Sequence, residues 1–212
     1  MKIYICTDLE GVTGVFKFKQ TREQDTPDFR EAMRLLMGDV AAVAEGLRQG
    51  GATEILVIDG HDGGNNFLPE CMVPGVRYLT GWPRSSPICG LDESFAGVVL
   101  LGYHAMNGTP DGVLHHTQSS LAESKYWYDD VERGEIYQSA VVAGHYNVPV
   151  ILVTGDEAAC REARATLGED VPTVAVKKEI SREAAILLAA EETRPLLIEG
   201  AKQAMAALPK LK

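Results

Sequence analysis

Three aliphatic runs in this chain end alike, and that repetition limits what it can fold into. Lys2-Ile3-Tyr4-Ile5-Cys6 leads into Thr7-Asp8-Leu9-Glu10-Gly11. Glu54-Ile55-Leu56-Val57-Ile58-Asp59 leads into Gly60-His61, and the run from Ala96 to Gly102 leads into Tyr103-His104. Uninterrupted apolar runs have no solvent face, so they fit parallel strands buried on both sides, with helices between them. Val150–Val153 and Thr173–Val176 extend the pattern. The expected fold is therefore α/β, a largely parallel central sheet flanked by helices. Ligands of such sheets bind in the crevice beyond the carboxyl ends of the strands. Asp8, Glu10, His61 and His104 all fall there.

The stretches between the runs read mainly as helices and turns. Thr26-Pro27-Asp28 is a helix entry; Met33, Leu36, Met37, Val40, Val43, Ala44 and Leu47 then recur at helical spacing until Gly50-Gly51. Residues 15–27 carry no pattern beyond that entry. Phe67 to Met72 is a short helix, and Arg77 to Thr80 a minor strand. Gly134-Glu135 opens a helix to about Tyr146, and Asp156 caps another to about Leu167. Ser181 is read as the cap of a long final helix that Pro195 divides in two. No repeat or low-complexity linker appears, so one domain over residues 1–212 is expected.

Composition excludes several function classes. A formal charge of −10 argues against a nucleic-acid footprint and against adhesion to anionic membranes. No basic and apolar leader opens the chain, and no run approaches membrane-spanning length. Cys6, Cys71, Cys89 and Cys160 are scattered, which is neither a disulfide framework nor a thiolate zinc pattern. Reduced cysteines in a cytoplasmic protein are expected, with Cys6 in the core. The Asp62-Gly63-Gly64-Asn65-Asn66 loop could cradle an anion but lacks nucleotide-binding spacing.

Adjacent carboxylates raise each other's pKa unless a cation sits between them. Asp8 and Glu10, side by side if the chain stays extended past Cys6, are therefore candidates for a metal site; a solvated acidic turn is the bland alternative. A histidine at a strand end is ordinarily structural, but His61 and His104 occupy equivalent places after separate strands. Glu135 starts a helix, where the dipole favours a carboxylate anyway, and Glu132, Asp129 and Asp130 compete with it. With Asp8 bridging, Asp8, Glu10, His61, His104 and Glu135 would give three bonds to each of two ions. Three carboxylates leave two divalent ions with one positive charge unbalanced, which a bridging hydroxide would neutralise. Two-metal hydrolases use such a hydroxide as nucleophile. Mixed carboxylate and imidazole ligation fits zinc, with manganese or cobalt as alternatives.

The ordered motifs also carry a resemblance. Thr7-Asp8-Leu9-Glu10-Gly11, His61 followed by Asn65-Asn66, Leu101-Gly102-Tyr103-His104, Gly112-Val113-Leu114-His115-His116, Gly134-Glu135, Val148-Pro149-Val150 and Gly155-Asp156 occur in sequence. In this the chain resembles the D-aminopeptidases of peptidase family M55, over most of its length to about Ser181. The resemblance implies a binuclear zinc aminopeptidase acting on short peptides with a free amino terminus, D-alanine-containing ones in the typical member. It implies Asp8 (bridging), Glu10, His61, His104 and Glu135 as metal ligands. His116 becomes the catalytic side chain, stabilising the oxyanion or protonating the leaving amine, with His115 as its neighbouring rival. His115, Asn65 and Asn66 are the candidate substrate contacts. Ring-shaped, decamer-like homo-oligomers enclosing the active sites are also implied. Typical members continue further, so this chain is expected to lack their C-terminal extension. Two rival readings stand beside it. One is a haloacid-dehalogenase-like phosphatase, suggested by Asp8-Leu9-Glu10-Gly11-Val12-Thr13. The other is a non-enzymatic ring-forming protein with structural metals.

Overall fold

The computed structural model describes residues 1–211. In chain order its elements are β1 (Lys2–Thr7), a helical turn α1 (Lys19–Arg22), α2 (Pro27–Gln49), β2 (Glu54–Asp59), β3 (Arg77–Leu79) and β4 (Gly97–Tyr103). A small hairpin, β5 (Trp127–Tyr128) and β6 (Val131–Glu132), precedes α3 (Glu135–His145), β7 (Val150–Asp156) and α4 (Glu157–Leu167). The chain closes with β8 (Thr173–Ser181), β9 (Ala184–Leu187) and α5 (Ala190–Ala207).

Alternation along the strands divides the side chains between two cores. Ile3, Ile5, Val57, Val99 and Leu101 face α2 and α5, while Tyr4, Cys6, Ile58, Val98 and Leu100 face α3 and α4. Helix α2 forms because its apolar stripe, from Phe29 through Leu36, Met37, Val40 and Val43 to Leu47, recurs at helical spacing and is buried throughout. Thr26 caps it, accepting from Phe29 N at 3.2 Å, with Pro27 in the first turn.

The large sheet runs β3-β2-β1-β4-β7-β8-β9, parallel except for β9 at its edge. From β1 the chain builds outward through β2 to β3, then returns to β4 and builds the other way. The order therefore reverses between β1 and β4, which opens the crevice there. Thr7 lies opposite both Asp59 and Leu101. Asp8, His61 and His104 thus leave the sheet at nearly one level.

The chain departs from expectation at its C-terminal side. Ser181 caps no helix: β8 runs through it, turns at Arg182-Glu183 and returns as β9. Pairing along the sheet edge overrides the helix-forming composition of Arg182 to Ala189. Pro195 lies inside one continuous α5 instead of dividing it. It sits early and on the exposed face, so the hydrogen bond it forfeits leaves a carbonyl in water. Residues 19–22, read as patternless, form a turn that later supports His61.

Candidate metal centre

Two glycines let the strand ends meet. Gly11 N donates to Gly102 O at 2.7 Å, and Asp8 N donates to Leu101 O at 2.8 Å. A Cβ on Gly11 would strike Tyr103 O, and Gly102 (φ 75°) leaves no room for one beside Asp8 O. The path after Thr7 is a turn and not an extended strand. Asp8 and Glu10 converge because that turn folds against the end of β4.

Around these carboxylates stand the histidines. His61 Nδ1 lies 2.9 Å from Asp8 Oδ1 and 3.1 Å from Glu10 Oε2. His104 Nε2 is 3.3 Å from Asp8 Oδ2 and 3.5 Å from Glu135 Oε1. His116 Nε2 is 3.9 Å from the same Glu135 oxygen. Each imidazole has its far nitrogen tied to a backbone carbonyl. His61 Nε2 is 2.9 Å from Thr21 O, His104 Nδ1 is 2.9 Å from Ala105 O, and His116 Nδ1 is 2.8 Å from Leu114 O. Those bonds fix the rings, each with its other nitrogen facing the acids, as metal-binding histidines are ordinarily held.

The electrostatics demand positive charge. Burial, reinforced by Glu10, raises Asp8 to about 6. Burial would lift Glu10 too, but His61 outweighs it and holds Glu10 well below the usual carboxylate range. His61 is driven well above the imidazole range, Glu10 and Asp8 overcoming burial, and His104 rises to about 10 through Glu135 and Asp8. Glu135 falls against its burial because of His104. His116 goes the other way, to about 4, through burial and the nearby charge of His104. His104 Nε2 and Glu10 Oε2 are buried without a hydrogen-bond partner. Donor atoms of Asp8, Glu10 and His104 form one compact group and those of His104, His116 and Glu135 another, each within 4.8 Å. Such a donor set fits zinc, which would replace the protons the histidines otherwise take up.

Glu135 owes its place to starting α3, where Gln118 N also donates to it at 2.7 Å. Its competitors point elsewhere. Glu132 pairs with Lys125 at 3.0 Å, and Asp129 and Asp130 form the left-handed β5–β6 turn. His115 is half-buried and accepts from Gly108 N at 3.3 Å. Asn65 is exposed. Asn66 is buried, and its amide donates to Asp59 Oδ1 (2.7 Å) and to His61 O (2.8 Å), bracing the His61 loop from inside the fold. Cys6 is core, as expected, and burial pushes its thiol up to about 12.

Sequence reasoning missed Lys177. From β8 its buried ammonium donates to the carbonyls of Glu10, Val12 and Val15 at 2.5–3.0 Å, so all three protons are used to pin the turn that carries the acids. Burial lowers it to about 8, with Asp156 and Asp39 opposing. A lysine beside another lysine in Val176-Lys177-Lys178 reads as surface. The strand alternation that buries Val174 and Val176 puts Lys177 on the other face, so no local pattern marks it as buried.

With this geometry in place, comparison with known proteins decides the family. The sequence profile of peptidase family M55, described as D-aminopeptidase, matches residues 1–212. The chain belongs to that family. It is thus an aminopeptidase of a metal-dependent hydrolase class. It is 36% identical over 204 residues to a D-aminopeptidase of Bacillus subtilis (strain 168), covering 94% of this chain and 72% of that protein. Among solved structures it matches the zinc-dependent D-aminopeptidase DppA from Bacillus subtilis, described as a self-compartmentalizing protease. The TM-score is 0.90 at 32% identity, over 97% of this chain and 74% of the other. No helix among the described residues is long and apolar enough to cross a membrane.

Proposed function

We propose that this M55 member is a zinc-dependent aminopeptidase that releases the N-terminal residue of short peptides, D-alanine-containing ones among them. Two zinc ions per chain would be held by Asp8 (bridging), Glu10, His61, His104 and Glu135; manganese or cobalt suits the same donors. The observation that carries this reading is the aim of the imidazoles: His61 and His104 present their free nitrogens to Asp8 at 2.9 and 3.3 Å. Zinc, when bound, supplies Lewis acidity and a water acidified to near neutrality.

His116 would move the protons. Its Nδ1–H is held by Leu114 O, which leaves Nε2 as the nitrogen that faces the cluster, 3.9 Å from Glu135. It can take a proton from the attacking water and pass it to the leaving amine, and so donates only after accepting. The carboxylate-rich cluster would also attract the substrate's free ammonium group, restricting cleavage to chain ends. A cytoplasmic ring of identical chains, in keeping with the self-compartmentalizing Bacillus structure, completes the proposal.

Metal analysis of the purified protein beside a panel of D- and L-aminoacyl p-nitroanilides tests it. Two ions per chain with D-selective release is the expected result. Metal-free protein that stays inactive on every D- and L-residue after zinc is added would overturn it.

A further inference from the structure

Two arginines close one side of the metal centre. The guanidinium of Arg22 lies 3.5 Å from the ring centre of Phe18 and that of Arg182 lies 5.2 Å from it. Phe18 in turn packs edge-on against His116, with ring centres 6.3 Å apart. Both arginines are anchored one step from the site. Arg22 follows Thr21, whose carbonyl holds His61, and the Arg182 carbonyl accepts from Leu114 N at 2.7 Å, next to the carbonyl that holds His116.

Stacking on Phe18 and the bonds of Arg22 to Ser120 hold the pair together, yet they leave guanidinium donors unused. Like charges over one ring repel, and burial together with Arg182 pushes Arg22 below its ordinary value. Glu10 and Glu183 oppose that shift without overcoming it. Glu123 reaches Arg182 only at 3.4 Å and is largely exposed, while Glu183 turns its carboxylate to Phe18 N at 3.0 Å. Arg22 uses Nε and Nη2 on Ser120, leaving Nη1, and Arg182 Nε is buried with no partner. In a chain of net charge −10, an anion would otherwise be repelled from this crevice. Guanidinium pairs suit carboxylates, which they bind through two parallel hydrogen bonds.

The geometry points to Arg22 and Arg182 as the subsite for the free C-terminal carboxylate of a short peptide, set beside Phe18 on the His116 side of the metal centre. This rests on the aminopeptidase reading and deepens it by naming the groups that would hold the substrate's carboxyl end.

The test compares D-alanyl-D-alanine with D-alanyl-D-alaninamide, which differ only in terminal charge, on the zinc-loaded full-length protein, with the L,L pair run alongside. The wild type should favour the carboxylate in kcat/KM by about 10- to 100-fold, the scale of hydrogen bonds to a charged group. That ratio should collapse towards one in Arg22→Ala and Arg182→Ala, mostly through KM, and recover in part in Arg182→Lys. Because both substrates are read on one preparation, partial unfolding cancels from the ratio. A wild type that cleaves acid and amide equally overturns the subsite while leaving the aminopeptidase standing, as does a ratio unmoved in both alanine variants. A wild type that cleaves neither overturns the aminopeptidase reading and the subsite with it.

Discussion

The rings of His104 and His116 lie face to face, 4.0 Å between centroids and 14° from parallel, and both point Nε2 at Glu135. Yet their pKa values diverge, to about 10 and about 4. One ring is embedded among carboxylates and the other sits against the first ring's charge. In the proposed function His104, embedded among the carboxylates, is the ligand and His116, stacked on it, the proton carrier. Replacing His116 with Ala should lower kcat by about 10²- to 10⁴-fold while zinc content stays intact. His115→Ala should cost far less. Steady-state kinetics with metal analysis on both variants checks this; turnover that survives in His116→Ala, or falls only in His115→Ala, would reverse the assignment.

Glu135 and Glu132 were rivals in the sequence and are separated in the structure. Glu135→Gln should lose zinc and at least about 100-fold in activity, since it withdraws a charge from the cluster itself. Glu132→Gln, which only frees Lys125, should retain its metal. Zinc content after gel filtration distinguishes the two.

Lys177 should be essential to the turn it pins. Lys177→Met strands three carbonyls without donors, and about 3 kcal/mol or more of stability should go with them. Urea unfolding of chelator-treated protein reads the cost, and zinc affinity should weaken in parallel because Glu10 is released. An undiminished midpoint would mean that water replaces the ammonium.

Much of this was legible in the strands and little of it in what braces them. Aliphatic runs announce buried strands, and Asp8, His61 and His104 stand just past their ends, so topology brings those three together, whereas Glu10 also needs the turn after Thr7. Glu135 needed the helix start at Gly134 as well. Lys177, Thr21 and Arg182 act from segments distant in sequence, and Arg182 arrives on a hairpin that the helix-forming composition of 182–189 concealed. Local pattern cannot show a bond whose partner is set by the closing of the sheet.

Asp39, buried on α2, gives stability a pH dependence separate from the metal. Burial raises it to about 6 from 3.8, although Thr13 N donates to it at 2.9 Å. Between those values the folded chain keeps a proton that the unfolded chain releases. Its contribution is thus most favourable below about pH 4 and is lost as pH rises through about 6, an effect of about 3 kcal/mol. Asp39→Asn removes it. The stability of the variant relative to wild type should rise by that amount between about pH 4 and about pH 7, read by urea unfolding. A difference that does not change with pH would contradict the burial argument.

In the proposed function the strand ends of β1, β2 and β4, with the start of α3, grip a pair of cations. Anomalous diffraction at the zinc edge from crystals of the zinc-loaded protein tests it most directly. Two peaks should appear per chain, one within ~2.0–2.2 Å of Glu10 and His61, the other at that distance from His104 and Glu135, with Asp8 reaching both. A single peak, or peaks away from Asp8, would contradict the account.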